Sequence, residues 1–247
     1  MAMRPPSASD LLRVWDGAAG QGPVGRGLAL LAAACPDLSR DELADLSIGQ
    51  RDGRLLALRE AMFGPDMVGV ASCPSCGEVI ETCVTTTALR VETPLAPSLE
   101  LERAGYRLRL RPLTSRDLAA VEAAEPPLRR QALFDRCIVM ATRGQESVAA
   151  VSLPAEIAEA AIGELAKADA QADIQLAIAC PRCGQRWRAP FDIVAFLWAE
   201  LEAWAGRLLR EVHVLASAYG WSEREILSLS PARRQRYLGM VQSWPIS

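Results

Sequence analysis

The chain has 247 residues, of which 50% are hydrophobic and only 5% aromatic, and its formal net charge is −3. That length is enough for one large domain or two small ones, and the acidic balance argues against a generally nucleic-acid-binding surface. The longest apolar run, at 28–35, is too short to span a bilayer, and the first ten residues lack the features of a secretory signal. We therefore expect a cytoplasmic protein with no membrane contact.

The N-terminal region, 1–65, is rich in Ala and Leu and has apolar residues at helical spacing. We predict four helices there: one capped by Ser9 or Asp10, one over about 24–35, a short one after Ser39, and one over about 50–63. Gly64 and Pro65 are a typical stop signal for the fourth helix.

Two copies of a CPxCG motif follow, CPSCG at 73–77 and CPRCG at 180–184. A two-residue gap between cysteines lets one tight turn supply two thiolates to a metal ion. The proline pre-sets the turn, and the glycine lets the chain leave it. Because cytosolic thiols stay reduced and the chain has one histidine, His213, a four-thiolate set is favoured over disulfides or a Cys/His finger. The predicted ligands are Cys73, Cys76, Cys180 and Cys183.

Zinc bound by four thiolates has no open position for water or substrate, so the predicted site is structural. One CPxCG alone could be a chance turn or a redox dithiol, but no thioredoxin-like context surrounds either copy. We predict that 66–92 and 170–191 form two halves of one zinc ribbon. The segment EVIETCVTTTAL after the first motif predicts a strand, in which Cys83 would be a buried apolar residue.

The intervening region, 93–169, begins with TPLAPS at 93–98, which is typical of a linker or turn. We predict a hairpin around Ala104-Gly105, with Tyr106, Leu108 and Leu110 on one face and three arginines on the other. Thr114 with Asp117 predicts a helix start. A further helix over 127–142 would bury Leu128, Leu133, Phe134, Cys137 and Ile138, and another would run from about 153 to 167.

The C-terminal region, 192–247, carries the strongest helical pattern. An apolar stripe predicts a helix from Asp192 to about Ala218, followed by two shorter helices starting near Ser222 and Ser230. Its tryptophans suit either a core or contacts with a partner subunit. The spacing of Ala216, Gly220 and Ile226 also fits a helix-turn-helix, so the alternative function is a zinc-ribbon regulator that binds nucleic acid. Glu223 and Glu225 on the would-be recognition helix argue against it.

The run LASAYGWSEREILSLSPARRQRYL at 215–238, the stretch RPLTSRDLAA at 111–120 and both CPxCG units resemble a family encoded in contractile phage-tail and contractile-injection-system clusters. That family is related to phage baseplate and hub-assembly proteins. The resemblance covers most of the chain from about residue 55 and implies a non-enzymatic structural or assembly role among other baseplate or tail-assembly proteins. It brings no catalytic residues.

The expected fold is α+β and mostly helical, with helical N-terminal and C-terminal parts joined by a small β zinc ribbon. No phosphate-binding loop or nucleophile elbow is present, so we expect no enzymatic activity and no small-molecule substrate. We expect a baseplate component that contains a structural Zn²⁺. The protein would stay in the cytoplasm or enter a phage-tail-like particle. The predicted partner contacts are Trp198, Trp204, Trp221, Arg233, Arg234, Arg236 and Tyr237.

Overall fold

The computed structural model describes residues 3–91 and 98–242. The chain divides into two compact units: residues up to Cys35 together with those from Val194 onward form one, and Pro36–Ile193 form the other. Most of the predicted linker TPLAPS lies outside the described residues. The four-region division expected from the sequence stays a prediction.

Helices make up most of the regular structure. In chain order the helices are α1 (Ala8–Ala18), α2 (Pro23–Ala34), α3 (Arg40–Ala44), α4 (Ile48–Phe63), α5 (Thr86–Leu89), α6 (Ser115–Val121), α7 (Pro126–Cys137), α8 (Ala155–Ala168), α9 (Ile193–Tyr219), α10 (Glu223–Ser228) and α11 (Pro231–Gln242). The strands are β1 (Asp66–Ser72), β2 (Val79–Thr85), β3 (Leu99–Arg103), β4 (Tyr106–Leu110), β5 (Ile138–Arg143), β6 (Glu146–Ser147), β7 (Gln175–Ala179) and β8 (Arg186–Pro190). The α+β, mostly helical class is confirmed.

Helix starts in both units use the capping box, in which two side chains satisfy backbone N–H groups reciprocally. Ser7, and not Ser9 or Asp10, caps α1: its hydroxyl accepts from the Asp10 N–H, and the Asp10 carboxylate accepts from the Ser7 N–H, both at 3.2 Å. The sequence prediction was wrong here because Asp10 serves as the acidic partner inside the helix. Ser39 caps α3 in the same way.

The unit formed by residues up to Cys35 and from Val194 onward is helical, and its core is built by α9 together with α1 and α2. The predicted stripe is confirmed, since Leu197, Leu201 and Leu215 are fully buried. Leu12 of α1 packs with Leu208 in one buried cluster. Among the helices of the described ranges, none combines the length and apolar character that a membrane crossing requires.

In the other unit, β3, β4, β5 and β6 form a four-stranded antiparallel sheet in that order. The predicted hairpin is confirmed: β3 pairs with β4 around Ala104 and Gly105, both at positive φ. Leu108 and Leu110 are buried against Phe134 of α7 and Ile157 of α8. The core of this unit therefore lies between the sheet and these two helices.

The helix predicted over 127–142 ends at Cys137, and the remainder is strand β5. Ile138, Val139 and Thr142 are β-branched, and pairing with β4 outweighs the helical spacing of the segment. Leu128, predicted to be buried, is 66% exposed.

A buried carboxylate organises the start of α6. Asp117 is 1% exposed, and it accepts from Arg111 at 2.7 and 2.8 Å, from Arg136 at 3.0 Å and from the Thr114 N–H at 2.9 Å. The helix start predicted at Thr114 and Asp117 is confirmed. The two arginines join the end of β4, where Arg111 follows Leu110, to α6 and α7 through one acidic group.

A second buried carboxylate, Asp169, lies against the start of α4. It accepts from the Gly49 N–H at 3.0 Å and from the Ser47 hydroxyl at 3.1 Å. A β-carbon built on Gly49 would clash with the Asp169 carboxylate, so any larger residue would have to displace that carboxylate from its hydrogen bonds. This contact ties α4 to the 3₁₀ turn at Ala170–Ala172, which leads into β7.

Candidate metal centre

Each CPxCG motif forms the turn of a two-stranded hairpin, β1–β2 for the first and β7–β8 for the second. In the first turn the Cys73 N–H donates to the Glu78 carbonyl at 2.8 Å, and the Gly77 N–H donates to the Cys73 carbonyl at 3.0 Å. In the second turn the bonds from Cys180 and Gly184 have the same pattern and the same two lengths. The two motifs thus fold into the same local structure.

The glycine that closes each motif is required by the backbone. Gly77 has φ of 71° and Gly184 has φ of 74°, in the left-handed region that side chains disfavour. This conformation lets the chain turn back into the second strand of each hairpin.

The four cysteine sulfurs converge. The Cys73 and Cys183 Sγ atoms are 3.7 Å apart, as are those of Cys76 and Cys180, and all four lie within 4.8 Å of one another. A zinc ion with Zn–S bonds of about 2.3 Å in tetrahedral geometry separates its sulfurs by about 3.8 Å. A disulfide would require about 2.05 Å. The spacing therefore fits four ligands around a single ion that could bind here.

Exposure and charge distinguish the four positions. Cys73 and Cys180 are buried, Cys76 is partly buried and Cys183 is exposed. Arg182, the variable residue of the second motif, forms an ion pair with Glu78 at 3.2 Å, directly after the first motif. This pair links the two turns a second time, on their solvent side.

The thiols influence one another strongly. Burial alone would raise the pKa of Cys73, but backbone N–H groups of Cys76 and Ser75 outweigh it and lower the pKa to about 7. The Glu78 N–H lowers the pKa of Cys76, but burial and the three neighbouring thiols outweigh it and raise the pKa to about 12. Four adjacent thiols cannot all ionise without a cation, and a divalent metal supplies the missing positive charge.

The remaining cysteines lie outside this cluster. Cys35 and Cys137 are buried, and burial raises the pKa of Cys137 to about 11. The prediction that Cys83 is buried is wrong, because it lies opposite Val68 on the exposed face of the β1–β2 hairpin. Cys83 is therefore an exposed thiol that offers a comparison with the exposed Cys183.

The structure places the predicted partner-contact residues in different surroundings. Trp198 is 4% exposed, and the Arg26 guanidinium lies 4.6 Å from its ring centre. Arg234 is 5% exposed and donates to Glu211 at 3.1 Å. Trp204, Trp221 and Tyr237 are partly exposed, whereas Arg233 and Arg236 are exposed.

Two of these residues belong to an aromatic cluster. The ring of Trp221 stacks on Tyr219 with 4.6 Å between centroids, and Tyr237 contacts both rings edge-on at 4.9 and 5.7 Å. The cluster packs α11 against the turn after α9, where Gly220 has φ of 68°. No comparison tests the partner contacts, and they stay predictions.

Sequence reasoning does not identify Arg182 and Glu78 as a pair beside the site. The available signal is their opposite charge at matching places, because Arg182 is the variable residue of the second motif and Glu78 directly follows the first.

These features define a class: a four-cysteine ribbon in which two matching hairpin turns bring four thiols within metal-binding distance. The model of the T4 bacteriophage base plate protein family matches residues 28–198, which include both CPxCG motifs. The chain belongs to this family, and the resemblance to phage baseplate proteins is confirmed. No curated protein and no solved structure matches the chain. The family match ends before the run at 215–238.

Proposed function

We propose that the chain is a structural or assembly component of a contractile phage-tail-like baseplate and that it acts through protein–protein contacts, without enzymatic activity. The observation that carries the proposal is the baseplate family match across 28–198, which spans both cysteine motifs and the inserted region. We infer that its partners are other baseplate or tail-assembly proteins. It would be made in the cytoplasm and could enter the finished particle.

We further propose that the four-cysteine ribbon holds a structural Zn²⁺. Cys73, Cys76, Cys180 and Cys183 would bind it, since two of their S···S distances are 3.7 Å and all four sulfurs lie within 4.8 Å of one another. When bound, the ion supplies a cross-link with all four positions taken by thiolates. The hairpins β1–β2 and β7–β8 are separate sheets in the described residues, so the ion would cross-link two hairpins that no strand pairing joins.

We propose that the surface that contacts partner proteins is formed by those of the seven predicted partner-contact residues that are exposed. Arg233 and Arg236 lie on the solvent side of α11, and Trp204 and Trp221 are partly exposed. Arginine and tryptophan are enriched at interface centres because each combines a large apolar area with hydrogen-bond donors. Trp198 and Arg234 would act indirectly, since they are buried.

Co-expression tests the assignment to a baseplate. The tagged chain is produced with the baseplate proteins encoded beside it, and we expect at least one of them to co-purify in stoichiometric amount. Deleting the gene should stop assembly of the baseplate or the sheath. Normal particles from the deletion strain would contradict the proposed role.

Paired cysteine variants test the zinc proposal. Cys183→Ser removes an exposed thiol of the cluster, and Cys83→Ser removes an exposed thiol outside it. We expect Cys183→Ser to lose zinc and to unfold the ribbon at a lower temperature, with most helical circular dichroism retained. Cys83→Ser should keep one zinc and the wild-type melting curve. Equal zinc content in the two variants would contradict the assignment of Cys183 as a ligand.

A further inference from the structure

A largely apolar groove of about 680 Å³ lies in the Pro36–Ile193 unit, bordered by α6, α7 and α8. Leu118, Leu133, Ile162 and Leu165 line it and are only partly buried. These side chains lie beside the core formed by Phe134 and Ile157, but the described part of the chain leaves their outer surfaces uncovered. The groove has the volume and composition of a binding site.

Positive charge marks the α7 wall of the groove. Arg129 and Arg130 line it and are exposed, and neither forms an ion pair with a carboxylate of the described residues. One Arg129 nitrogen instead donates to the carbonyls of Glu122 and Ala124, at 3.1 and 2.9 Å, which fixes that guanidinium beside the groove. Two guanidinium groups that have no carboxylate partner among the described residues, and that lie beside an apolar surface, attract a carboxylate.

Negative charge lies at another part of the groove. Asp173 is exposed there and accepts from the neutral Gln175 amide, whereas the Asp169 carboxylate is buried and accepts from the Gly49 N–H and the Ser47 hydroxyl. Among the described residues at the rim, the charge without an ion-pair partner is therefore positive along α7 and negative at Asp173. An occupant with apolar side chains, an acidic residue and a basic residue would complement all three surfaces.

The hydrogen-bonding needs of the occupant's backbone determine which conformation suits the groove. An extended segment would place unpaired N–H and C=O groups against an apolar wall, and each would lose hydrogen bonds to water. A helix satisfies its own backbone and projects side chains at i, i+3 and i+4 along one line. The apolar wall of the groove therefore favours a helical occupant.

We propose that this groove binds an amphipathic helix of another baseplate protein, with an acidic side chain of that helix facing Arg129 and Arg130. The inference rests on the proposed function, because it names the kind of segment by which a baseplate partner is held. The contact would bury Leu133 and Leu165 and would leave the cysteine ribbon unoccupied by the partner.

Synthetic peptides test the proposal on the full-length, zinc-loaded chain. The probes are fluorescent peptides of about 20 residues that cover each amphipathic helical segment of the baseplate proteins encoded beside this one. We expect one or more acidic amphipathic peptides to bind. Reversing one exposed charge replaces an attraction with a repulsion, so the change should weaken binding about fivefold.

Arg130→Glu is the test variant, and Arg109→Glu is its matched control. Arg109 is exposed on β4, outside the groove, and the charge change is the same. Leu133→Gln, checked for native melting, should abolish binding because it places an amide in the apolar contact. Binding that is equally strong for wild type, Arg130→Glu and Leu133→Gln would overturn the proposal, as would a panel without any bound peptide.

Two further measurements separate this proposal from the proposed function. If whole baseplate subunits co-purify equally with wild type and with Leu133→Gln, the groove proposal fails and the baseplate role stands. If no subunit co-purifies with wild type, the baseplate role itself fails. If sedimentation shows a dimer of this chain that Arg130→Glu dissociates, the occupant is a second copy, and the proposal of a baseplate helix is overturned.

Discussion

Replacing Asp117 with Asn should destabilise the Pro36–Ile193 unit more than any other single loss of charge described above. The carboxylate is 1% exposed and accepts from Arg111, Arg136 and Thr114 at 2.7–3.0 Å. Asn keeps the shape but removes the negative charge and turns one acceptor into a donor that faces a guanidinium. The variant therefore leaves two positive groups without their counter-ion.

The magnitude follows from the burial of Asp117 and of its two arginine partners. Breaking a fully buried ion pair costs about 3–5 kcal/mol. The Arg111 and Arg136 side chains are 35% and 44% exposed, so water replaces part of what they lose. We expect a loss of about 2–3 kcal/mol in the free energy of unfolding, or about 5–10 °C in melting temperature.

Urea and thermal unfolding followed by circular dichroism measure this loss, with Asp135→Asn as the control. Asp135 is exposed on α7 and accepts from the Gln131 amide, so removing the same charge there should cost less than about 0.5 kcal/mol. If Asp117→Asn and Asp135→Asn unfold at the same urea concentration, the carboxylate does not organise the start of α6.

Acid titration gives a second signature of the same group. Burial alone would raise the pKa of Asp117, but hydrogen bonds from Arg111 and Thr114 outweigh it and hold the pKa below its usual range. The Asp117 carboxylate therefore binds a proton more readily in the unfolded chain than in the folded one. Its contribution to the free energy of unfolding is complete above the unfolded pKa of about 4 and declines as the pH falls below that value. The stability difference between wild type and Asp117→Asn should therefore be constant above about pH 5 and shrink below about pH 4. A difference that grows on acidification would contradict the lowered pKa.

Two further substitutions test contacts in the separate units. Gly49→Ala should lower the free energy of unfolding by about 2–3 kcal/mol, because its β-carbon would clash with the Asp169 carboxylate. Gly53→Ala, with 3.8 Å to its nearest neighbour, should be neutral or slightly stabilising. Equal denaturation midpoints for the two alanine variants would refute the close approach. Glu211→Gln should lower the free energy of unfolding by about 2 kcal/mol, since Arg234 is 5% exposed and loses its carboxylate partner. A loss under about 0.5 kcal/mol, measured by urea unfolding, would show that water already screens the pair.

The cysteine arrangement was largely predictable because its signals are local and repeated. Pro, Cys and Gly at fixed offsets dictate the turn, and two copies of one turn with four thiols favour a shared ion. The structure brings Cys73, Cys76, Cys180 and Cys183 together, although they are far apart in sequence. The identity of the ion stays a prediction.

The errors in the sequence analysis occur where long-range pairing outweighs a local pattern. The segment at 138–142 has helical spacing, but it becomes strand β5 because β4 offers a hydrogen-bonding partner. Thr86–Leu89 is a short helix after β2, although its residues suit a strand. The ion pairs of Asp117 were missed because its partners Arg111 and Arg136 carry no distinguishing pattern in the sequence.

Zinc content measured on the purified full-length chain tests the central claim most directly. Elemental analysis combined with thiol titration under native conditions counts the ions and the protected cysteines in the same sample. The proposed structural site predicts one zinc per chain, with Cys73, Cys76, Cys180 and Cys183 unreactive until a chelator or denaturant is added. A folded chain with native circular dichroism, no bound zinc and four reactive thiols at these positions would contradict it.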